Sequence, residues 1–565
     1  MRNILIVENG STGKNLIQDI ITRNYNPIVL ELKLQSDSEE ARIYNDMVQS
    51  SYESIELDFE VVIEKDTYEE TVEMVKELNP KIIIPATEGG VAMATKLSHD
   101  LNLMGNPIEN LDVMTLKDEM QNRLAENNLR HIKGTSVTSI EEAIEYYEKE
   151  GFKEVVVKPK IGAASVGVRI CSNKEEMINA VSDLLNHYGF FGNLLNEVVI
   201  QERIKGEEYI VNTVSHKGVH RVTTIWKYDK ITTSEGGHIY NHMDSIAELG
   251  LGESEIVEYA YDVADAIGIQ YGPIHGEYMV DENGPVLIEV NCRAMGGQLD
   301  RKFLDRLSGQ HETDSILDSY LNPDKFYREL KKGYNLYGHA SLKFFNVPND
   351  LVAKSAPLNH ISNRLKSHYK TSMAEINELQ PFSKTQDLET SCGTVYLFHE
   401  DAFQLNKDLE FLNGIEKNAF QLVLSEGLHK KITPDEDRSH EDIESLINSI
   451  KSNGTCLLIT DHIYDNLDIL QVSPQRLDEI TGEFDSVVIN LNKSILEKND
   501  DAMAQFVLDT FERLKVGGLI FIPKTTYDAL PSGRLGAEAL VKVLNFKIEL
   551  PLHKFSKILI ASKRQ

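Results

Sequence analysis

The first 112 residues alternate between short apolar runs and stretches with helical spacing. The apolar runs are ILIVE, PIVLEL, FEVVIE and KIIIPA, each about the length of one strand. This alternation is typical of a small, doubly wound parallel sheet. The last run leads into Glu88, Gly89 and Gly90. Open α/β sheets bind ligands at the carboxyl ends of their strands, so this loop is a candidate ligand site, although Glu88 could also be a helix cap.

A second pattern, from Gly272 to Gly297, predicts a β-hairpin with ligand atoms on one face. The runs HGEYMV and PVLIEVN are joined by the turn Asp281-Glu282-Asn283-Gly284, and Asn-Gly is a strong hairpin signal. Glu289 and Asn291 are two residues apart and share a face, and Glu277 can lie opposite them. Hard cations such as Mg²⁺ prefer carboxylate and amide oxygens, so these three residues are predicted metal ligands. Arg293 follows on the same face and could reach a phosphoryl group. The alternative is a hairpin edge with solvated charges.

The segment EVVVKPKIGAASVGVRI predicts a phosphate-binding loop between two strands. A β-branched run ends in Lys158, and residues 161–167 are mostly small, including Gly162 and Ser165. Small residues let backbone N–H groups approach phosphate oxygens, and a lysine on a strand adds a fixed positive charge. A turn with no ligand remains possible for this segment taken by itself.

Taken together, these motifs resemble the ATP-grasp superfamily, whose members activate a carboxylate as an acyl phosphate and pass it to a nucleophile. The resemblance extends to EVVIQERIKGEEYIVNTV and to DVMTLKDEMQNRLAENNL. It implies that Glu202 accepts from the adenine amino group, that backbone at Arg203 and Ile204 reads the ring edge, and that Glu208 binds the ribose hydroxyls. Lys117 matches the first nucleotide lysine of the family.

The closest resemblance is to the branch that contains L-amino acid ligases. It rests on TEGGVAMATKLSHDLNLMGNP and on RAMGGQ, where Arg293 and Gly296 match the positions that hold the phosphate and the tetrahedral intermediate. Glu235 to His238 match a loop that approaches the amino-acid substrate in this branch. A surface loop is an equally good interpretation of these four residues.

The resemblance implies an α/β fold with α+β lobes. Residues 1–112 form a Rossmann-like pre-ATP-grasp domain, and 113–433 form a two-lobed ATP-grasp domain with a lid at about 133–199 and a large lobe at 200–433. Residues 446–565 form a separate α/β domain that resembles the second half of a class I methyltransferase. Its cofactor-binding glycine turn is missing, so we expect a degenerate, methyltransferase-like domain kept for packing, dimerisation or lid control.

Composition excludes several classes of partner. The chain of 565 residues has 89 acidic and 58 basic residues, a formal charge of −31, so nucleic acid and anionic membranes are poor partners. No apolar stretch is long enough to span a membrane, and no signal peptide is expected. Four cysteines without metal spacing fit a cytoplasmic location. The N-terminal ENGSTGKNL lacks the spacing of a phosphate-binding P-loop.

The predicted activity is that of an ATP-dependent carboxylate-amine ligase with an amino-acid substrate. ATP and Mg²⁺, or Mn²⁺, are the expected cofactors, and small carboxylates and amines are the expected partners, with a homodimer possible. The predicted catalytic residues are Arg293, Lys158 and Gly296. Two alternatives stay open: a carboxylase-type ATP-grasp enzyme that uses bicarbonate, and a regulatory nucleotide-binding protein without turnover.

Overall fold

The computed structural model contains two compact units, Met1–Ser341 with Asp387–Glu389, and Leu342–Gln386 with Thr390–Gln565. The residues described are 2–53, 55–163, 166–232, 238–297, 299–347, 351–353, 362–363, 365–373, 380–386, 390–419, 447, 455–460, 469–473, 476–477, 480, 482–490, 510, 513–523, 546–549 and 558–563. The predicted linker at 433–445 lies outside them.

The first unit begins with a parallel sheet in the order β3-β2-β1-β4. Its strands are β1 (Asn3–Val7), β2 (Asn26–Glu31), β3 (Glu60–Ile63) and β4 (Pro80–Pro85), and its helices are α1 (Asn15–Thr22), α2 (Glu39–Glu53), α3 (Tyr68–Leu78) and α4 (Val91–Asp100). Ile4, Leu5, Ile6 and Val7 are all fully buried. A strand covered on both faces needs this continuous apolar run, which explains the pattern ILIV.

Two glycines allow the turns after β1 and β4 to pack closely. A Cβ added at Gly13 would lie 2.4 Å from the Ala86 Cβ, and one at Gly90 would lie 2.6 Å from the Val7 carbonyl oxygen. These distances are too short for real Cβ contacts, so a larger residue would push the two turns apart. The close packing brings the loop at Glu88 to the carboxyl edge of the sheet.

Two short helices, α5 (Leu111–Thr115) and α6 (Lys117–Glu126), lead into a second, antiparallel sheet. Its order is β5-β8-β6-β7. The elements are β5 (Gly134–Val137), α7 (Ile140–Glu150), β6 (Val155–Pro159), β7 (Arg169–Cys171), α8 (Lys174–Leu184) and β8 (Val198–Glu202). The side chains of Ser139 and Asn173 cap α7 and α8 by accepting from the N–H groups of Glu142 and Glu176. Both helices contribute to one apolar core with β6 and β8.

A turn between α8 and β8 lies against helix α2. The ring of Tyr44 is 5.0 Å from that of Phe191 and 5.6 Å from that of Phe190, both edge to face. Gly192 has φ 75° and a Cβ there would lie 2.3 Å from the Ala41 Cβ, so glycine is required for this approach. The Ser36 hydroxyl donates to the Gly192 carbonyl at 2.6 Å. We call Tyr44, Phe190 and Phe191 the aromatic anchor.

The third sheet of this unit carries the predicted hairpin. Five antiparallel strands lie in the order β13-β12-β9-β10-β11. They are β9 (Glu207–His216), β10 (Val219–Thr232), β11 (His238–Ser245), β12 (Tyr271–Asp281) and β13 (Gly284–Asn291). Helix α9 (Leu251–Ile267) packs on this sheet through Ile256, Ala260, Val263 and Ile267. The hairpin turn places Gly284 at φ 92°, the region that glycine adopts freely.

Helices α10 (Arg301–Ser308), α11 (Glu312–Leu321) and α12 (Pro323–Lys332) follow, and α11 packs against α1. Their contact contains a buried carboxylate, Asp19, which is 1% exposed. His311 Nε2 lies 2.9 Å from Asp19 Oδ2, and Arg301 Nη2 lies 2.6 Å from Asp19 Oδ1. Because a buried charge needs partners, this network fixes α1 against the start of α11.

The second unit contains two further groups of strands. The first comprises β14 (His339–Phe345, which begins in the first unit), β15 (Leu351–Ala353), β16 (His368–Met373), β17 (Gln380–Phe382) and β18 (Gly393–His399), followed by α13 (Ala402–Ala419). The second comprises β19 (Cys456–Thr460), β20 (Leu470–Val472), β21 (Phe484–Asn490), β22 (Leu514–Pro523), β23 (Phe546–Glu549) and β24 (Ile558–Lys563), in the order β20-β19-β21-β22-β24-β23.

One local prediction in this unit was wrong. The pattern of DDAMAQFVLDTFERLKVGG predicts a helix that reaches Gly518, but Lys515 to Gly518 lie inside β22. Leu514 pairs with Phe484 and Leu519 pairs with Ser486, so these four residues form an irregularity opposite Asp485. Lys515 Nζ lies 2.9 Å from Asp485 Oδ1 at this point.

No helix in the described part of the chain is both long and apolar enough to cross a membrane.

The Asp19 network predicts a pH-dependent stability. Burial favours neutral His311, but Asp19 and Asp305 outweigh it and raise the pKa of His311 from 6.5 to about 9. A raised pKa means that the stabilisation is complete below pH 6.5 and is lost as the pH rises through 9. We expect His311→Gln to lower the free energy of unfolding by up to about 3 kcal/mol at pH 6, and by much less at pH 9.5. Urea unfolding followed by fluorescence of the single tryptophan, Trp226 in β10, measures this; an equal loss at both pH values would contradict it.

Candidate active site

The hairpin β12-β13 brings the predicted metal ligands together. Glu277 and Glu289 are direct cross-strand partners, and His275 pairs with Asn291. The Asn291 side-chain amide donates to Glu289 Oε1 at 3.3 Å. The ladder shifts register after Glu277, a bulge of the kind that redirects side chains near functional sites. Two carboxylates and an amide therefore share one face of the sheet.

Neighbouring cations keep Glu277 ionised. Burial by itself raises a carboxyl pKa, but the hydrogen bond from His275 and the charges of Lys230 and Arg293 outweigh it and lower the pKa of Glu277 to about 2. His275 Nε2 lies 3.3 Å from Glu277 Oε1, and its Nδ1 lies 2.9 Å from Asn212 Oδ1. Burial lowers the pKa of His275, and the hydrogen bond to Glu277 opposes this shift.

Two lysines from different elements converge on Glu289. Lys117, the first residue of α6, places Nζ 2.9 Å from Glu289 Oε2 and donates to the Gly162 carbonyl at 3.0 Å. Lys158, near the end of β6, is buried, which lowers its pKa to about 8 despite the nearby Glu289 and Glu277. A buried cation is costly unless it is paired, so these lysines are suited to an anionic ligand.

The donor set fits a hard divalent cation. Among the described residues no group of three or more His, Cys, Asp or Glu could hold a metal ion, so a protein-only cage is not present there. Two carboxylates and one amide leave coordination positions for phosphate oxygens and water, which is how Mg²⁺ is usually held. In this arrangement Lys117 lies beside Glu289, and His275 lies beside Glu277.

The residues predicted for adenine lie at the end of β8. Glu202 Oε1 accepts from the Lys133 N–H at 2.9 Å, and the Arg203 guanidinium pairs with Glu154 at 3.3 Å. The Arg203 N–H donates to the Glu154 carbonyl at 3.4 Å. The Arg203 N–H is therefore already occupied by a protein acceptor.

The predicted ribose residue, Glu208, is held by a lysine that sequence reasoning missed. Lys230 Nζ donates to Glu208 Oε1 at 2.7 Å and to Oε2 at 2.8 Å. The same ammonium lies 4.5 Å from the ring centroid of Tyr240 and 5.2 Å from that of Tyr228. Burial raises the pKa of Glu208, and Lys230 opposes this. In the sequence, the two-residue spacing of Tyr228 and Lys230 in KYDKIT was the feature that could have identified Lys230.

Arg293 lies between two buried carboxylates that sequence reasoning did not assign to it. Its Nε is 3.6 Å from Glu88 Oε2, and its Nη1 donates to the Ala294 carbonyl at 2.9 Å. Burial raises the pKa of Glu88 to about 7. Burial also raises the pKa of Glu312 to about 7, although the Met295 N–H donates to Glu312 Oε1. Glu88 is at the carboxyl edge of the first sheet, so Arg293 joins two sheets.

Gly296 lies beside the turn that follows β1. Its carbonyl accepts from the Thr12 hydroxyl at 3.3 Å, and a Cβ on Gly296 would meet only Ser11 Oγ, at 3.8 Å. Gly162 is likewise uncrowded, with Pro159 3.6 Å from a Cβ placed there. Ser165 and residues 235–237 lie outside the described residues, as does the side chain of His238.

Comparison with known proteins locates an ATP-grasp domain. Residues 152–301 match the ATP-grasp domain family. The chain is 25% identical over 360 residues to dapdiamide A synthase from Enterobacter agglomerans, a match that covers 62% of this chain and 83% of that protein.

Two solved structures share the fold. The L-amino acid ligase from Bacillus licheniformis has a TM-score of 0.56 and 17% identity, covering 73% of this chain and 97% of that one. The biotin carboxylase domain of 2-oxoglutarate carboxylase from Hydrogenobacter thermophilus, solved with MgADP and bicarbonate, has a TM-score of 0.50 and 13% identity, covering 73% of this chain and 93% of that one. The chain is thus a mixed α/β protein that carries an ATP-grasp domain, and it is a ligase enzyme.

Proposed function

We propose that this protein is an ATP-dependent carboxylate-amine ligase that forms an amide or peptide bond with an amino-acid substrate through an acyl phosphate. The observation that carries the proposal is the convergence of Glu277, Glu289 and Asn291 with Lys117 and Lys158 on one face of the β12-β13 hairpin. The similarity to dapdiamide A synthase and to an L-amino acid ligase supports the amino-acid substrate.

Nucleotide binding would use both antiparallel sheets of the first unit. Glu202, Arg203 and Ile204 would contact adenine and Glu208 the ribose, while Lys117 and Lys158 would offset phosphate charge. The small loop with Gly162 and Ser165 would cover the phosphates. Glu277, Glu289 and Asn291 would hold Mg²⁺, or Mn²⁺, whose positive charge would offset that of the phosphates.

Arg293 and Gly296 would act in the second half of the reaction, in which the acyl group is transferred to the amine. A substrate carboxylate attacks the γ-phosphate, and the new acyl phosphate then meets an amine. The guanidinium of Arg293 would stabilise phosphate oxygens and the oxyanion of the tetrahedral adduct, and the Gly296 N–H would add a donor. Lid closure would keep water from the acyl phosphate.

The domain assignment is part of the proposal. We assign residues 1–112 to a pre-ATP-grasp domain, 113–433 to the ATP-grasp domain with a lid at about 133–199, and 446–565 to a degenerate methyltransferase-like domain. The antiparallel pair β23-β24 at one edge of a parallel group supports the last assignment. Its proposed role is in packing, homodimer formation or lid control. The free cysteines support a cytoplasmic location.

Removing one predicted metal ligand should abolish turnover without unfolding the protein. Glu289→Ala deletes a carboxylate shared by the metal patch and Lys117, and we expect at least about a 100-fold loss of ADP release. Glu282→Ala, in the exposed turn of the same hairpin, is the control and should retain activity. ADP release from Glu289→Ala at the control's rate would refute the metal assignment.

The Lys158 ammonium should make ATP affinity depend on pH. Its pKa of about 8 means that the free protein carries this charge below pH 8 and loses it above. We expect the dissociation constant for ATP, measured by calorimetry, to rise as the pH goes from 7 to 9.5. Lys158→Ala should bind weakly at both pH values, whereas the exposed control Lys153→Ala should follow the wild type. If Lys158→Ala bound ATP with wild-type affinity, a role for Lys158 in holding the phosphates would be excluded.

The products test the reaction class directly. An acyl phosphate route releases ADP and orthophosphate in step with an amide, because the γ-phosphate is the group transferred. We expect this stoichiometry when ATP, Mg²⁺ and a panel of amino acids are analysed by mass spectrometry. Release of AMP and pyrophosphate would exclude the route, and strict dependence on bicarbonate would indicate a carboxylase.

A further inference from the structure

We propose that Glu88 is the carboxylate that receives the attacking amine and takes up its proton. This inference rests on the proposed ligase function and adds the residue that serves the nucleophile. It implies that the second substrate enters as a cationic ammonium group, such as that of an amino acid, on the side of Arg293 that faces the first sheet.

Glu88 lies close to the group proposed to hold the acyl phosphate. Its Oε2 lies 3.6 Å from Arg293 Nε, and Arg293 is the group placed to hold the acyl phosphate. A base for the attacking amine must lie within hydrogen-bond reach of the atom that bonds to the acyl carbon. Of the carboxylates around Arg293, Glu88 comes from the carboxyl edge of the parallel sheet, where such sheets receive ligands.

One oxygen of Glu88 lacks a hydrogen-bond donor. The Glu88 side chain is 10% exposed, yet its Oε2 accepts no hydrogen bond from any described residue, and Arg293 Nε lies 3.6 Å from it. Glu312 also faces Arg293, but its Oε1 accepts from the Met295 N–H at 2.9 Å. Buried carboxylate oxygens are normally hydrogen-bonded, and an ammonium group would supply the missing donor for Glu88.

The loop is also built to hold Glu88 in place. A Cβ on Gly89 would lie 2.8 Å from both Glu8 Oε2 and the Tyr44 hydroxyl, so a larger residue there would have to displace these two side chains. Tyr44 donates to Glu8 Oε2 at 2.7 Å, and the Gly90 N–H donates to the Thr87 hydroxyl at 3.3 Å. These contacts leave the Glu88 carboxylate as the group that the loop presents.

The surroundings of Glu88 suit proton transfer near neutral pH. Burial raises its pKa to about 7, and the neighbouring cations moderate that rise. The charged and titratable groups that face it are Arg293, Lys117, Glu289, Tyr44, Glu8 and Cys292. A base with a pKa near the working pH is the most effective one.

The step balances. The ammonium R′–NH₃⁺ gives one proton to the Glu88 carboxylate, and the freed nitrogen lone pair forms the C–N bond to the acyl phosphate R–CO–OPO₃²⁻. The C–O bond to phosphate then breaks, its electron pair leaves with phosphate, and a second nitrogen proton passes to phosphate. The products are R–CO–NH–R′ and HPO₄²⁻, and Glu88 releases its proton to solvent.

Hydroxylamine provides the test, because it is unprotonated at neutral pH and needs no base. The full-length protein would be incubated with ATP, Mg²⁺ and an equimolar mixture of the twenty protein amino acids, with or without hydroxylamine, and dipeptides and hydroxamates would be measured by mass spectrometry. For Glu88→Gln we expect about a 100-fold loss of dipeptide formation and hydroxamate formation within about threefold of wild type. The acid limb of the dipeptide pH profile near pH 7 should disappear.

Glu312→Gln is the matched control, because it removes another carboxylate that faces Arg293. It should change dipeptide and hydroxamate rates by the same factor. Equal loss of both products in Glu88→Gln would overturn the proposal, because Glu88 would then serve the acid substrate or Arg293. A wild-type protein that forms neither product would instead refute the ligase function.

Discussion

The cross-strand pairing of Glu277 with Glu289 is the constraint on which the rest of the site depends. Two carboxylates on one sheet face repel each other and lose hydration, so each needs a cation from elsewhere in the chain. Lys117 reaches Glu289 from α6. The charges of Lys230 and Arg293 favour the ionised form of Glu277, which also accepts a hydrogen bond from His275. The pairing thereby draws α6 and strand β6, which carries Lys158, toward the hairpin.

Local sequence patterns predicted the parts of the site that lie on single elements. Period-two alternation placed Glu289 and Asn291 on one face, and the small-residue run marked the turn after Lys158. Apolar runs predicted β1 and β4 because fully buried parallel strands have no polar face. Each of these signals is confined to a few consecutive residues, so no tertiary information was needed.

The parts that joined distant elements could not be predicted in this way. Glu88 and Arg293 are far apart in sequence, and their contact depends on how the first sheet packs against the loop after β13. From the sequence alone, Lys230 was only a charged residue on a strand, because its pairing with Glu208 depends on the β9-β10 register. The strand over Lys515 to Gly518 was missed because it is an irregularity between two paired positions of β21 and β22, which local propensity does not reveal.

The aromatic anchor has a consequence for motion. Tyr44 touches Phe190 and Phe191 through its ring and Glu8 through its hydroxyl. The segment before β8 is therefore attached to the sheet that carries Glu88. Any rotation of the β5-β8-β6-β7 sheet about this contact would move its residues in proportion to their distance from the contact. Lys158 on β6 would then move farther than the residues that touch Tyr44, while the Glu8 edge would stay in place.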